Sequence, residues 1–110
     1  MKLIIAIVQD EDASRLVSTL MSEGFSVTKL ATTGGFLRAG NTTLLLGVED
    51  DKFQDAMNVI EKVCKSRKQM TTAPADMTGL GGTSYSPMPI EVTVGGATVF
   101  VLTVDLFLKL

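Results

Sequence analysis

The sequence predicts an α+β fold in which two helices cover one face of a sheet. Two apolar stripes with helical spacing alternate with runs of β-branched and leucine residues. These segments follow one another in the order β-α-β-β-α-loop-β-β. Without the loop and the last strand, this order matches the βαββαβ arrangement of a ferredoxin-like fold with a mixed sheet. A length of 110 residues predicts a single domain, 1–110, with one hydrophobic core.

The first half of the chain supplies three strands and one helix. Lys2–Gln9 holds the unbroken apolar run LIIAIV, which is typical of a strand buried on both faces. Strand character returns at 25–32 and again at 36–47. Between the first two strands, one apolar stripe predicts a helix, and Gly24 is expected to end it. The stripe consists of Ala13, Leu16, Val17, Leu20 and Met21.

The second half supplies the other helix and the last strands. Segment 70–89, rich in Thr, Gly, Ser and Pro, is predicted to be a long loop. Segments 90–94 and 97–105 flank Gly95-Gly96, which predicts a hairpin with a two-residue turn. Before the long loop, a second apolar stripe predicts another helix, which Asp50 or Asp51 can cap. The stripe consists of Phe53, Ala56, Met57, Ile60, Val63 and Cys64.

The composition disfavours several classes of function. The net charge of −2 and pI near 5.0 argue against broad binding to nucleic acid or to an anionic membrane. The chain has no histidine, which removes histidine acid–base chemistry and ordinary zinc sites. Cys64 is the single cysteine, so no internal disulfide forms and a cytoplasmic location is expected. The acidic group at 49–55 fits no calcium loop, and helix capping explains it.

Segment 28–47, TKLATTGGFLRAGNTTLLLG, is the strongest candidate for a site. It sets glycine pairs beside two cations between strand-like runs, and exposed backbone amides suit a phosphate ligand. Residues 35–42 have the spacing of a P-loop, but Asn41 stands where the lysine must be. This favours holding a phosphate without transferring it. Turn chemistry alone is the alternative explanation of the glycines.

Two phenylalanines and one sheet face raise further expectations. Phe36 follows the glycine pair directly and can stack on a base, although a core position is an equal alternative. Phe100 in the last strand is more often a core residue by composition alone. Because the two helices cover one face of the sheet, the other face is expected to be covered by another subunit.

Three motifs together resemble one known family along essentially the whole chain. They are MKLIIAIVQD at the start, ATTGGFLRAGNTT at 31–43 and GGATVFV at 95–101. The resemblance is to the PII-like cyclic di-AMP receptor family, of the PstA or DarA type. It implies a cytoplasmic homotrimer with sites between neighbouring subunits, a short T-loop at about 32–40 and an enlarged B-loop at about 70–89. It also implies signal transduction without catalysis, in which loop rearrangement passes the second messenger's signal to an unidentified protein.

The resemblance also implies a ligand site and no cofactor, while the composition and spacing described above predict no metal, nucleic-acid or membrane partner. Lys29 and Arg38 are weaker candidates for it, and Ser26 stands where members of the family carry arginine, which predicts one charged contact fewer. For cyclic di-AMP, the resemblance implies polar side-chain contacts from Thr28 and Asn41. It implies backbone contacts from Gly35, Leu37 and Gly47. The rings of Phe36 and Phe100 are implied to make apolar and stacking contacts.

Three other functions compete with this interpretation. A PII-type regulator answering to ATP or 2-oxoglutarate would share the fold, but the segment after Thr32 is short for its exposed arm. RNA-binding domains share the βαββαβ order, yet no segment here matches their aromatic RNP1 pattern. A small enzyme such as an acylphosphatase would need a catalytic pair, and the sequence supplies no evident one.

Overall fold

The computed structural model describes residues 1–30, 40–72 and 89–110. Four strands form the main sheet in the order β2-β3-β1-β6, and β4 pairs with β5 in a second sheet of two strands, here called the arm. The elements are β1 (Lys2–Gln9), α1 (Asp10–Ser22), β2 (Thr28–Lys29), β3 (Asn41–Val48), a 3₁₀ turn (Asp50–Lys52), α2 (Phe53–Cys64), β4 (Arg67–Thr72), β5 (Pro89–Val94) and β6 (Ala97–Thr103).

The two helices cover one face of the main sheet, as the sequence predicts. Alternate residues of β1 and β3 are buried against them, because successive side chains of a strand point to opposite faces. The resulting core consists mainly of Ile4, Ala6, Val8, Leu44, Leu46 and Val48 from the strands and Leu16, Leu20, Ala56, Ile60 and Val63 from the helices.

The strand order is compatible with a ferredoxin-like fold, but the expected mixed sheet is wrong. Each pairing in the main sheet, β1 with β3, β1 with β6 and β2 with β3, is antiparallel. An apolar run such as that of β1 does not reveal the direction of its neighbours, since central strands of either kind can be apolar on both faces.

Helix α1 follows its predicted stripe closely. Ala13, Leu16 and Leu20 are buried, whereas Met21 at the end of the stripe is 61% exposed. The helix ends where expected, because Gly24 takes a φ of +90° and its amide bonds back to the carbonyl of Met21. Glycine adopts that left-handed conformation without a steric penalty.

The expected hairpin around Gly95-Gly96 is wrong. Strand β5 pairs with β4, whereas β6 pairs with β1 in the other sheet. The two glycines have φ values of +83° and +89°, and their amides bond to the Gln9 side chain and the Cys64 carbonyl. These contacts lead the chain from the arm into the main sheet instead of folding it back on itself.

The long loop predicted at 70–89 begins and ends inside the arm. Strand β4 continues to Thr72 and β5 starts at Pro89, while residues 73–88 lie outside the described part. The segment RKQMTT has little apolar content, so its pattern does not predict β4. Lys68 and Glu91 form an ion pair of 3.1 Å across the arm. Strand β2 is also shorter than the predicted 25–32, and β3 begins at Asn41.

Candidate functional site

The register of the main sheet places Thr28 and Phe100 in one row. Thr28 lies opposite Leu45, Leu45 opposite Ile5, and Ile5 opposite Phe100. Directly opposite residues of antiparallel strands share a face, and this face is the one that the helices leave uncovered. We call it the open face; its residues are Thr28, Leu3, Ile5, Ile7, Gln9, Asn41, Thr43, Leu45, Gly47, Thr98, Phe100 and Leu102.

Phe100 is not a core residue. Its side chain is 54% exposed on edge strand β6, so the ring is available to a ligand or to another subunit. Thr28 lies on β2, the opposite edge strand. Since neighbouring strands are about 4.8 Å apart, three intervals separate the two backbone positions by roughly 14 Å. One copy of the chain therefore presents both residues on the same face without bringing them together.

Gly47 occupies the open face in the row next to Thr28 and Phe100. It lies opposite Leu3 on β1, and Leu3 lies opposite Leu102 on β6. A Cβ atom built on Gly47 would meet no heavy atom within 4 Å. The backbone of β3 is therefore accessible at this point, as a contact between a ligand and main-chain groups requires.

Asn41 starts β3 in a fixed backbone position. Gly40 before it has a φ of +98°, and the Asp10 amide donates a 2.7 Å hydrogen bond to the Gly40 carbonyl. The hydroxyl of Thr42 donates a short hydrogen bond to the Asp10 carboxylate. Asn41 is itself half-buried and pairs with Gln9. Gly40 thus takes the positive φ that turn chemistry expects, whereas Asn41 begins the strand.

A cleft of ≈ 410 Å³ opens beside Asn41, which is within the range of small-molecule sites. Two carboxylates, those of Asp10 and Glu11, line it together with amide and backbone groups. Carboxylates repel phosphate but accept hydrogen bonds from amino groups, such as the exocyclic amine of adenine. The described part of the lining therefore suits a base better than a phosphate; it consists of Gln9, Asp10, Glu11, Gly40, Asn41 and Val94.

Lys29 is directed away from the open face. It pairs with Leu44, whose side chain is buried under the helices. Lys29 also lines a separate cleft together with Val17 and Met21 of α1. The structure therefore separates this weaker candidate from Thr28, its neighbour in sequence, because successive residues of a strand point to opposite faces.

The remaining predicted contacts lie outside the described residues. These are Gly35, Phe36, Leu37 and the weaker candidate Arg38. Ser26, the departure from the family pattern, is described and exposed just before β2.

Sequence reasoning missed the junction between β1 and α1. Asp10 and Asp12 lie in the first turn of α1, whose N-terminus has no side-chain cap. Asp10 instead contacts Gly40 and Thr42 at the start of β3, and Asp12 is buried in an ion pair with Arg67. The spacing of these residues in the sequence gives no signal for either contact, since both partners lie at least 30 positions away.

Among the residues that the structure describes, no group of three acids or cysteines could hold a metal ion. Nor does any helix within 1–30, 40–72 and 89–110 combine the length and apolarity needed to cross a bilayer.

An antiparallel sheet with helices on one face, an open second face and a cleft at its strand ends defines a small α+β domain that is compatible with a ferredoxin-like fold. Comparison with known families makes this specific. The model of the cyclic-di-AMP receptor family matches residues 1–110. The chain belongs to that family, which confirms the resemblance noted in its motifs; its members are receptors for a nucleotide ligand.

A solved structure supports the same fold. The chain is similar to a functionally unknown protein from Pediococcus pentosaceus ATCC 25745, with 40% sequence identity and a TM-score of 0.77. The match covers 99% of this chain and 96% of the other one. The two proteins therefore share an overall architecture.

Proposed function

We propose that this protein is a homotrimeric cytoplasmic sensor that binds cyclic di-AMP between neighbouring subunits. The observation that carries the proposal is the placement of Thr28 and Phe100 on one face but at opposite edges of the sheet. A site that uses both residues at short range needs two copies of the chain side by side. Family membership supports the ligand, and the uncovered apolar face supports the assembly.

In the proposed site, each copy contributes different groups. The side chains of Thr28 and Asn41 make polar contacts, and the backbone at Gly47 lies against the nucleotide. The ring of Phe100 stacks on a base, a contact worth about 1–3 kcal/mol. The proposal also includes Gly35, Phe36 and Leu37. They are included because they belong to the sequence motif that resembles the family.

The proposed protein binds and releases its ligand intact. The chain holds no histidine, and Asn41 replaces the lysine of a P-loop, so the two commonest routes to phosphate chemistry have no residue to carry them. The bound state is proposed to act on a partner protein through rearrangement of the T-loop and B-loop segments, about 32–40 and 70–89. A single buried cysteine suits a reducing compartment.

Isothermal titration tests this function. Cyclic di-AMP, cyclic di-GMP and ATP are each titrated into the purified protein. We expect binding of cyclic di-AMP at micromolar concentration or tighter, with one site per chain, and no comparable heat from the other two. Recovery of the nucleotide after the titration checks that it is uncleaved. No heat with cyclic di-AMP, or preferential binding of ATP, contradicts the proposal.

A further inference from the structure

The junction between β1 and α1, residues 9–12, contacts two parts of the chain that are far apart in sequence. One is the start of β3, which holds the candidate ligand residue Asn41. The other is the base of the arm, where β4 begins and β5 ends. The established family membership assigns no role to this junction, and its contacts are specific enough to give it one.

On the side of the candidate site, three contacts fix the junction to the start of β3. The amide of Asp10 donates to the Gly40 carbonyl, and the Asp10 carboxylate accepts from the hydroxyl of Thr42. Gln9 pairs directly with Asn41. Opposite residues of antiparallel strands have Cβ atoms about 5 Å apart, so a displacement of Asn41 also changes the position of Gln9.

On the side of the arm, the same junction makes a hydrogen bond and an ion pair. The side-chain oxygen of Gln9 accepts a 2.7 Å hydrogen bond from the Gly95 amide, one residue after β5. The guanidinium of Arg67, the first residue of β4, contacts both carboxylate oxygens of Asp12, at 2.8 and 3.4 Å. Both strands of the arm are thus attached at their base to the β1–α1 junction.

The ion pair with Asp12 makes the attachment costly to break. Asp12 is only 2% exposed, and a buried carboxylate that loses its partner is strongly destabilised. Gly95 packs closely against the pair, since a Cβ atom there would lie 2.5 Å from Nη1 of Arg67. The base of the arm therefore cannot shift without disturbing the junction, and the junction cannot shift without disturbing the start of β3.

We propose that the β1–α1 junction couples the ligand site at Asn41 to the arm, with Gln9 and Asp12 as positioning residues. The inference deepens the proposed function and rests on it: a nucleotide at Asn41 displaces or stiffens Gln9, and the bonds to Gly95 and Arg67 pass that change to β4 and β5. Val94 at the end of β5 itself lines this cleft, and the coupling extends the report of occupancy to the other described residues of the arm.

Hydrogen exchange measured with and without cyclic di-AMP tests the coupling. In the unaltered protein, the ligand is expected to change exchange of the arm amides, 67–72 and 90–93, by about two- to thirtyfold. Val94 is left out of the comparison because it lines the cleft. Gln9→Met keeps the length of the side chain but removes the acceptor for Gly95. Because Gln9 lines the cleft beside Asn41, titration first gives the cyclic di-AMP concentration that saturates this variant. At saturation, its arm should no longer respond to the ligand.

Two matched variants separate coupling from general damage. Gln9→Glu restores an acceptor oxygen and should restore the response of the arm. Gln54→Met makes the same chemical change on the exposed surface of α2, where Gln54 donates to Asn58, and should leave the response intact. A merely structural role for Gln9 would not give this pattern of loss and rescue.

The ion pair provides a second, independent variant. Asp12→Asn keeps the shape of the side chain and removes its charge, so the arm should exchange faster without ligand and respond less to it. Asp51→Asn is the control, because Asp51 is exposed. If either Gln9→Met or Asp12→Asn cannot be purified folded, the other still decides the question.

The outcomes are distinguishable from those of the proposed function. No heat with cyclic di-AMP in the unaltered protein ends the proposed function, and the coupling falls with it. Heat without any change in the arm overturns the coupling alone. A full response of the arm in both Gln9→Met and Asp12→Asn overturns it as well.

Discussion

Asn41 illustrates how backbone and side-chain contacts prepare one residue for binding. Gly40 turns the chain immediately before it, and Asp10 holds both Gly40 and Thr42. Its side chain therefore projects from a backbone that is already ordered, so little conformational entropy remains to be lost when a ligand binds. Its amide group supplies both a donor and an acceptor beside the cleft.

Replacing Asn41 with alanine should weaken cyclic di-AMP binding by roughly three- to tenfold. The expected loss is that of one neutral hydrogen bond, about 0.5–1.5 kcal/mol. Titration calorimetry measures the change. Asn58→Ala is the matched control, since Asn58 is exposed on α2. Equal affinities for both variants would show that the Asn41 side chain makes no contact with the ligand.

Cys64 is held in its neutral form by its surroundings. The thiol is 1% exposed at the end of α2. Burial, and to a smaller extent the nearby carboxylate of Asp12, raises the pKa of Cys64 from its usual 9.0 to about 11. The folded protein therefore keeps the proton at a pH where the unfolded chain releases it. The prediction of a buried small apolar residue at this position is confirmed.

This difference predicts how stability depends on pH. Below about pH 9, both states hold the proton, and Cys64 has no effect. As the pH rises from 9 towards 11, only the unfolded state ionises, so the free energy of unfolding should fall by an amount on the order of 2 kcal/mol. Urea titrations of the protein and of Cys64→Ala measure it. The two pH profiles should diverge above pH 9, and parallel profiles contradict the prediction.

The elements differ in how far the sequence predicts them. Helix α1 and helix α2 follow from their apolar stripes, because a helical period needs no information about neighbours. The arm does not follow, because β4 is polar and its partner β5 lies beyond a long segment. Gly95-Gly96 has the composition of a hairpin turn, yet contacts to Gln9 and Cys64 give those glycines another role.

Gly95→Ala should destabilise the protein more than Gly96→Ala does. Both glycines have positive φ, so either substitution brings left-handed strain of about 1–2 kcal/mol. At Gly95 the new Cβ would also lie 2.7 Å from the Lys65 carbonyl, whereas at Gly96 it would meet nothing within 4 Å. Urea unfolding should give a gap of at least about 1 kcal/mol between the variants. Equal free energies of unfolding for the two variants would mean that the base of the arm shifts to accommodate the new Cβ atom at little cost.

In the molecule as a whole, apolar surface is distributed unevenly. The helical side buries its apolar residues, whereas Phe100 and Leu102 on the open face are about half exposed, at 54% and 50%. The segment after β6 adds the exposed side chains of Leu106, Phe107 and Leu108. The sequence predicted that this face would need a cover. It could not predict which residues share a row, because the register depends on pairings between distant strands.

Leu102→Glu should lower the mass of the assembly. We expect the unaltered protein to scatter light as about three 11.7 kDa chains, and the variant as a smaller species, because burying a charge on a covered face is unfavourable. Met21→Glu is the control: Met21 is equally apolar and 61% exposed, but it lies on α1. If Leu102→Glu leaves the mass unchanged, subunits do not cover the open face near this residue.

The separation of Thr28 from Phe100 by the width of the sheet also has a genetic consequence. If one chain supplies Thr28 to each pocket and the neighbouring chain supplies Phe100, a chain defective at Thr28 and a chain defective at Phe100 complement each other. Co-expressing a Thr28→Ala chain with a Phe100→Ala chain in equal amounts would then regenerate intact pockets at about one quarter of the interfaces. Neither variant expressed alone would regain any.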